Sequence, residues 1–158
     1  MIHRATNYIY ITTPYLIVDN EMITALTLAA QSGVDVRIIT PHVPDKKTVF
    51  MITRSFYEPL TKAGVKIYEY TPGFIHSKMM VCDDNYCVVG SINLDYRSLY
   101  LHFECATFLY HCKEINAVKD DILDCIEVSE EITYEHCLQL NKPYRFWLSI
   151  LRLYAPLL

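Results

Sequence analysis

Five polar residues and a glycine stand at fixed spacing near the middle of the chain: His76, Lys78, Asp83, Gly90, Ser91 and Asn93. They read H-x-K, four residues, D, six residues, G-S-x-N. An imidazole serves as nucleophile or as general acid and base near neutral pH. The Lys78 ammonium, Ser91 hydroxyl and Asn93 amide are hydrogen-bond donors, and a phosphoryl group needs such donors around its oxygens.

These residues sit inside an apolar hairpin pattern. Residues 76–82 and 86–90 predict two strands, with Asp83-Asp84-Asn85 supplying turn chemistry between them. With Asp84 and Asn85 as the two turn residues, His76 comes opposite Asn93 and Lys78 opposite Ser91. Directly paired residues share a face, as do residues two apart on a strand. His76, Lys78, Ser91 and Asn93 are therefore expected on one side, at the open end of the hairpin. Asp83 points to the other face and is expected to hold the turn and neighbouring backbone. A one-residue slip in register would change these pairings. No carboxylate of this segment shares the site face, so a divalent metal finds poor ligands there. The expected chemistry is metal-independent phosphoryl transfer without a cofactor.

The flanking chain predicts what positions the hairpin. Tyr8–Thr13 reads as a strand stopped by Pro14, and Asp19 as the N-cap of a helix running from Asn20 to about Ser32, ended by Gly33. Its apolar stripe is Met22, Ile23, Leu26, Ala29 and Ala30. A strand over Val34–Thr40, a helix from Lys47 to about Ala63 and a strand over Val65–Tyr70 follow. This alternation is that of βαβ units on a parallel sheet, to which the hairpin adds antiparallel strands. After a loop or helical turn at Leu94–Leu99 come a strand over His102–Tyr110 and a helix from Lys113 to about Val128. Residues 1–128 are expected to form one α/β half-domain, a mixed β-sheet flanked by helices. Residues 129–158 are expected to be a helical tail packed on it: a connector from Ser129, a short helix over Thr133–Leu140 and a last helix opened by Pro143.

The chain has 158 residues, enough for one sizeable core, and 52% of them are hydrophobic. Net charge is -4, with the acidic surplus confined to residues 101–158. That disfavours a general nucleic-acid binder, which needs a basic face. None of the six Cys forms a C-x-x-C pair. In the expected register Cys82 and Cys87 are cross-strand neighbours and could form a disulfide, but buried free thiols are preferred. Neither a signal peptide nor a membrane-spanning apolar run is evident. The tail is amphipathic, with Phe146, Trp147, Ile150, Leu151 and Tyr154 apolar and Arg145 and Arg152 basic. It could lie on a membrane surface, but packing on the domain or on a partner is preferred, because two Arg attract anionic lipid weakly.

The pattern from His76 to Asn93 resembles the HKD motif of the phospholipase D superfamily, complete and without substitution. Thr13-Pro14-Tyr15, Gly33-Val-Asp-Val-Arg-Ile-Ile, Ala63-Gly-Val-Lys-Ile-Tyr-Glu-Tyr-Thr-Pro-Gly-Phe, Asn93-Leu-Asp-Tyr-Arg-Ser-Leu and the ending Ala155-Pro-Leu-Leu are similar to bacterial cardiolipin synthases. The resemblance covers essentially the whole chain and the C-terminal half of such an enzyme. It implies a phospholipase D-like fold, one half-domain of a two-HKD site. It also implies conversion of two phosphatidylglycerol molecules to cardiolipin and glycerol through a phosphohistidine. His76 is then the general acid and base if the first half supplies the nucleophile; in a symmetric dimer either His76 takes either role. Lys78 and Asn93 would bind phosphate oxygens, with Ser91 as a supporting donor. Glu104 would orient the His76 ring, and Tyr15 and Arg97 would shape the substrate entrance. The implied partners are phospholipid, a second HKD half and a bacterial cell-membrane surface, with nucleic acid disfavoured. Two other readings stand beside this one: a homodimeric single-motif phosphodiesterase or nuclease, and an inactive remnant.

Overall fold

In a computed structural model, which describes residues 1–157, the chain is built on a seven-stranded mixed sheet. Its order is β8-β6-β5-β1-β3-β4-β9. The central strands β1 (Tyr8–Thr12), β3 (Asp35–Pro41) and β4 (Lys66–Tyr70) are parallel. Antiparallel strands extend both sides: the hairpin β5 (Met79–Cys82) and β6 (Tyr86–Gly90) with β8 (Ala106–Tyr110) on one, and β9 (Ser129–Ile132) on the other. A separate two-stranded ribbon joins β2 (Leu16–Ile17) to β7 (Leu94–Asp95) in parallel.

Period-two alternation divides the sheet between two cores. Ile9, Ile11, Val36, Ile38 and Ile67 point to one face, where they meet α1 (Asn20–Gln31), α2 (Lys47–Ser55) and α3 (Tyr57–Lys62). Tyr8, Tyr10, Ile39, Val81 and Cys87 point to the other, under Ile115 and Ile122 of α4 (Glu114–Glu127). Each such aliphatic side chain contributes about 1.5–3 kcal/mol when fully buried.

Helix α1 begins as the sequence predicts, with the Asp19 carboxylate accepting from Met22 N at 2.7 Å. The helix expected over Lys47–Ala63 is instead two helices broken at Phe56. Pro59 has no N–H to give the Ser55 carbonyl four residues back. That carbonyl instead accepts from Arg152 Nη1 at 3.5 Å. A second difference lies at Ser129–Ile132, which pairs with β4 rather than opening a helical tail. Only Ile132 of this short acidic strand is buried, so its sequence carries almost no strand signal. Beyond it come α5 (Tyr134–Gln139) and α6 (Lys142–Arg152), each capped by a side chain, Thr133 and Asn141. Helix α6 lies on α2 with Leu148 buried, and Arg145 makes a two-pronged ion pair with Glu58 at 2.5 and 3.1 Å.

Candidate active site

The strand that carries His76 and Lys78 becomes regular only at Met79, so both residues lie on the extended segment leading into it. Two threonines at the end of β1 fix that segment and the one across from it. Thr12 Oγ1 accepts from Met79 N and from Ser77 Oγ, both at 3.1 Å. Thr13 Oγ1 accepts from Leu94 N at 3.2 Å. Both threonines are buried. They sit at the carboxyl end of a parallel strand, where open α/β sheets place their ligands.

The register differs by one residue from the sequence expectation. Val81 pairs with Cys87 and Cys82 with Tyr86, leaving Asp83, Asp84 and Asn85 as a three-residue loop. Lys78 then faces Gly90, whose N–H reaches the Lys78 carbonyl at 3.1 Å. Asp83 and Asp84 both take left-handed backbone, with φ of 51° and 56°, which aspartate tolerates better than most residues. Cys82 and Cys87 are consequently not opposite one another, and both are buried free thiols.

His76, Lys78, Ser91 and Asn93 nevertheless line one open cavity. Regular β5–β6 pairing stops at Met79–Val89, whereas β6 stays paired with β8 through Gly90–Ala106 and on into the segment before β8. There Ser91 N bonds the Cys105 carbonyl at 2.9 Å, and Cys105 N bonds Ser91 Oγ at 3.0 Å. Gly90 permits this close pairing, because a Cβ there would collide with the Cys105 carbonyl and with Ala106. Convergence therefore comes from this continued β6–β8 pairing, which holds Ser91, and not from the direct cross-strand pairs that the expected turn implies.

Inside the cavity Lys78 Nζ lies 3.0 Å from His76 Nε2 and 2.7 Å from the His76 carbonyl. An ammonium only donates, so in this contact Lys78 is the donor and Nε2 the acceptor. Burial pushes the Lys78 pKa down, against the opposing pull of Glu104 and Asp95. Asn93 Nδ2 donates to Ser98 Oγ at 3.0 Å, while Asn93 Oδ1 is buried without a partner among the described residues. Glu104, half-buried ahead of β8, accepts a short hydrogen bond from the Ser91 hydroxyl. Ser91, then Ser98, holds its carboxyl below the usual carboxylate range. No hydrogen bond joins Glu104 to His76 among the described residues; its nearest imidazole is that of His102, at 3.9 Å. Among the same residues, no group of three His, Cys, Asp or Glu gathers as a metal site.

The family model for cardiolipin synthase, PLD-like domain, matches residues 1–124. The chain belongs to this family. A cardiolipin synthase from Geobacillus sp. (strain WCH70) is 44% identical over 158 residues, covering all of this chain and 32% of that protein. The chain spans about a third of the length of the curated relatives it matches. Among solved structures, phosphatidylserine synthase from Haemophilus influenzae Rd KW20 superposes with a TM-score of 0.78 at 16% identity, over 99% of this chain and 43% of that one. The phospholipase D family member Nuc from Salmonella typhimurium gives 0.73 at 17% identity, over 84% and 86%. These two likenesses show the phospholipase D-like fold.

Within this cardiolipin synthase-type domain the remaining motif residues separate by position. Asp83 lies outside the cavity, and its carboxylate accepts from Thr6 N, Thr6 Oγ1, Asn7 N and Tyr8 N at 2.7–2.9 Å. Tyr15 and Arg97 do not line the cavity either. The Tyr15 hydroxyl donates to Asp45 at 2.6 Å, with its pKa pushed up to about 12 by burial and then by that bond. Arg97 is exposed at the start of the helical turn Arg97–Leu101. Sequence reasoning passed over Thr12, Ser98 and Asp95. Two adjacent threonines ending an apolar strand just before Pro14 were the signal that the sequence offered for Thr12. Asp95 accepts from Ser98 N at 2.7 Å, a turn contact that spacing alone does not reveal.

Proposed function

We propose that the chain supplies one HKD half of a phosphatidyl transferase that joins two phosphatidylglycerol molecules into cardiolipin and releases glycerol. The observation that carries this is the His76–Lys78 pair, with Nε2 3.0 Å from Nζ, in an open cavity shared with Ser91 and Asn93. The family match and the cardiolipin synthase relatives support the lipid substrate.

A lipid phosphate in the cavity would draw Lys78 Nζ from the imidazole to its oxygens, leaving the Nε2 lone pair free. Turning the Asn93 amide over would aim Nδ2 at the phosphate and give Oδ1 the Ser98 hydroxyl, a rearrangement that heavy-atom positions permit. In the first step one histidine attacks phosphorus, the P–O bond to glycerol breaks, and the leaving oxygen takes a proton from the second histidine. In the second step that histidine removes the proton from the hydroxyl of another phosphatidylglycerol, which attacks phosphorus and breaks the P–N bond. His76 serves as the acid and base when the other half provides the nucleophile. The second histidine comes from another HKD half, and the reaction takes place at a bacterial membrane surface. Among the described residues no helix is long and apolar enough to cross a bilayer. Glu104 acts through Ser91, holding that hydroxyl and the β8 lead-in at the cavity wall.

The test is product analysis on phosphatidylglycerol vesicles, with the chain alone and joined to an HKD partner half. Cardiolipin and glycerol formation that disappears in His76→Ala is expected. Cleavage of plasmid DNA by a dimer that leaves the lipid untouched overturns the proposal, as does inertness toward both substrates when the partner half is present.

A further inference from the structure

Away from the HKD cavity, a second hollow of about 270 Å³ lies between α2–α3 and α5–α6. That is slightly below the ~300–1,000 Å³ of ordinary small-molecule sites, so it suits a headgroup-sized ligand. Its lining includes four cations, Arg54, Lys62, Arg145 and Arg152, against two carboxylates, Glu58 and Glu69. Both carboxylates are already matched. Glu69, fully buried, receives Arg54 at 2.6 and 2.8 Å and His42 at 3.0 Å. Glu58 receives Arg145. Among the described residues neither Lys62 nor Arg152 makes an ion pair; Arg152 donates to the Ser55 carbonyl at 3.5 Å and lies over the Phe56 ring at 5.9 Å. Among the described residues the hollow thus carries two cations without a carboxylate partner, in a chain whose net charge is -4.

The helix that closes this hollow turns cations as well as the buried Leu148 and the core-packed Leu151 inward, and leaves aromatic residues outside. Arg145, Leu148, Ser149 and Arg152 of α6 face the hollow. Phe146, Trp147, Leu153 and Tyr154, on or just past its outer side, are 50–77% exposed. Cations lining the hollow beside an outward aromatic face fit the headgroup level of a bilayer, where amphipathic rings with cations near phosphate are favoured.

We propose that the hollow between α2–α3 and α5–α6 is a binding site for a phosphate-bearing anion, held by Lys62 and Arg152. The exposed aromatic face of α6 favours a lipid headgroup over free phosphate as the source. Such a site would anchor the domain on anionic lipid independently of the chemistry at His76.

Trp147 is the sole tryptophan and stands on the exposed face, so its fluorescence reports burial of α6 directly. The full chain is titrated with phosphatidylcholine vesicles, with mixed phosphatidylcholine–phosphatidylglycerol vesicles, and with inorganic phosphate and glycerol 3-phosphate followed by calorimetry. The expected result is a blue shift on the mixed vesicles alone, weakened roughly fivefold by Lys62→Gln and further by Lys62→Gln with Arg152→Gln, as for cations near an anionic surface. His76→Ala should bind as the parent does, which separates this site from failure of the catalytic reading. Lys62 is exposed, so its substitution leaves the fold intact; melting curves check the double variant. Saturable phosphate binding that the variants weaken, with no shift on any vesicle, supports the site and assigns it a soluble ligand. Equal binding by parent and variants, or no binding to either probe, overturns the proposal.

Discussion

The two ends of the β5–β6 hairpin carry residues of one motif in opposite physical states. At the turn end Asp83 is satisfied by four donors from Thr6–Tyr8, and Asp84 adds Tyr8 Oη at 2.7 Å and Lys119 at 2.8 Å. At the open end Asn93 Oδ1 has no partner among the described residues, His76 is exposed, and Lys78 donates to its own neighbour's backbone. Leaving a buried acceptor unpaired costs about 1–3 kcal/mol, so a fold retains one where a ligand or a rearrangement can relieve it. Incomplete hydrogen bonding, more than motif membership, separates the residues proposed for the site from the residue that holds the hairpin.

The strongest way to break this comparison is at the open end. His76→Ala should lower phosphatidyl transfer by about 10³-fold or more, since acid–base and nucleophilic roles each carry large factors. Lys78→Ala should cost roughly 10²–10³-fold, the size of losing one donor aimed at developing charge. Neither change should lower the melting temperature by more than a degree or two, because neither side chain supports packing. A large loss of stability in either variant would erase the distinction between the two ends.

Next in size is Gly90→Ala, which places a methyl group against the Cys105 carbonyl and Ala106. Backbone cannot give way as a flexible side chain does, so a loss of about 2–3 kcal/mol is expected. Activity should fall with it, because Ser91 and Glu104 sit at the end of the displaced β6–β8 pairing. Denaturant unfolding and a transfer assay on the same preparation would show whether the two losses travel together. Thr12→Val tests the other anchor. It removes the acceptor of Met79 N and the partner of Ser77 while keeping the shape, at about 1–3 kcal/mol.

The motif spacing pointed to His76, Lys78, Ser91 and Asn93 as neighbours, and they do line one cavity, but not through the cross-strand pairs that the spacing implied. The same spacing missed the register. Asp83 adopts positive φ in contact with Thr6–Tyr8, more than seventy positions earlier, and no local rule contains that contact. The break between α2 and α3 was legible, since Pro59 sits where a helix interior needs an N–H. Strand β9 was not, because Ser129-Glu-Glu-Ile gains its conformation from the open edge of β4. The Ser91–Glu104 contact depends on a loop path that no periodicity describes.

The finest test is Asp83→Asn, which keeps the shape of the turn residue and removes its charge. Burial raises the Asp83 pKa, but the N–H groups of Tyr8, Thr6 and Asn7 and the Thr6 hydroxyl outweigh this and hold it below the ordinary value. A carboxylate with a lowered folded pKa adds stability that is fully present above the unfolded value near 4 and is lost as pH falls through the folded value. The parent should therefore lose part of its stability on acidification below about pH 4, and Asp83→Asn should flatten that acid limb. At neutral pH the variant should be about 1–2 kcal/mol less stable, comparable to losing a carboxylate cap. Its turnover at saturating lipid should stay within a few-fold of the parent. A turnover loss approaching that of Lys78→Ala, with the melting curve unchanged, would place Asp83 in the chemistry and make the hairpin one functional unit from end to end.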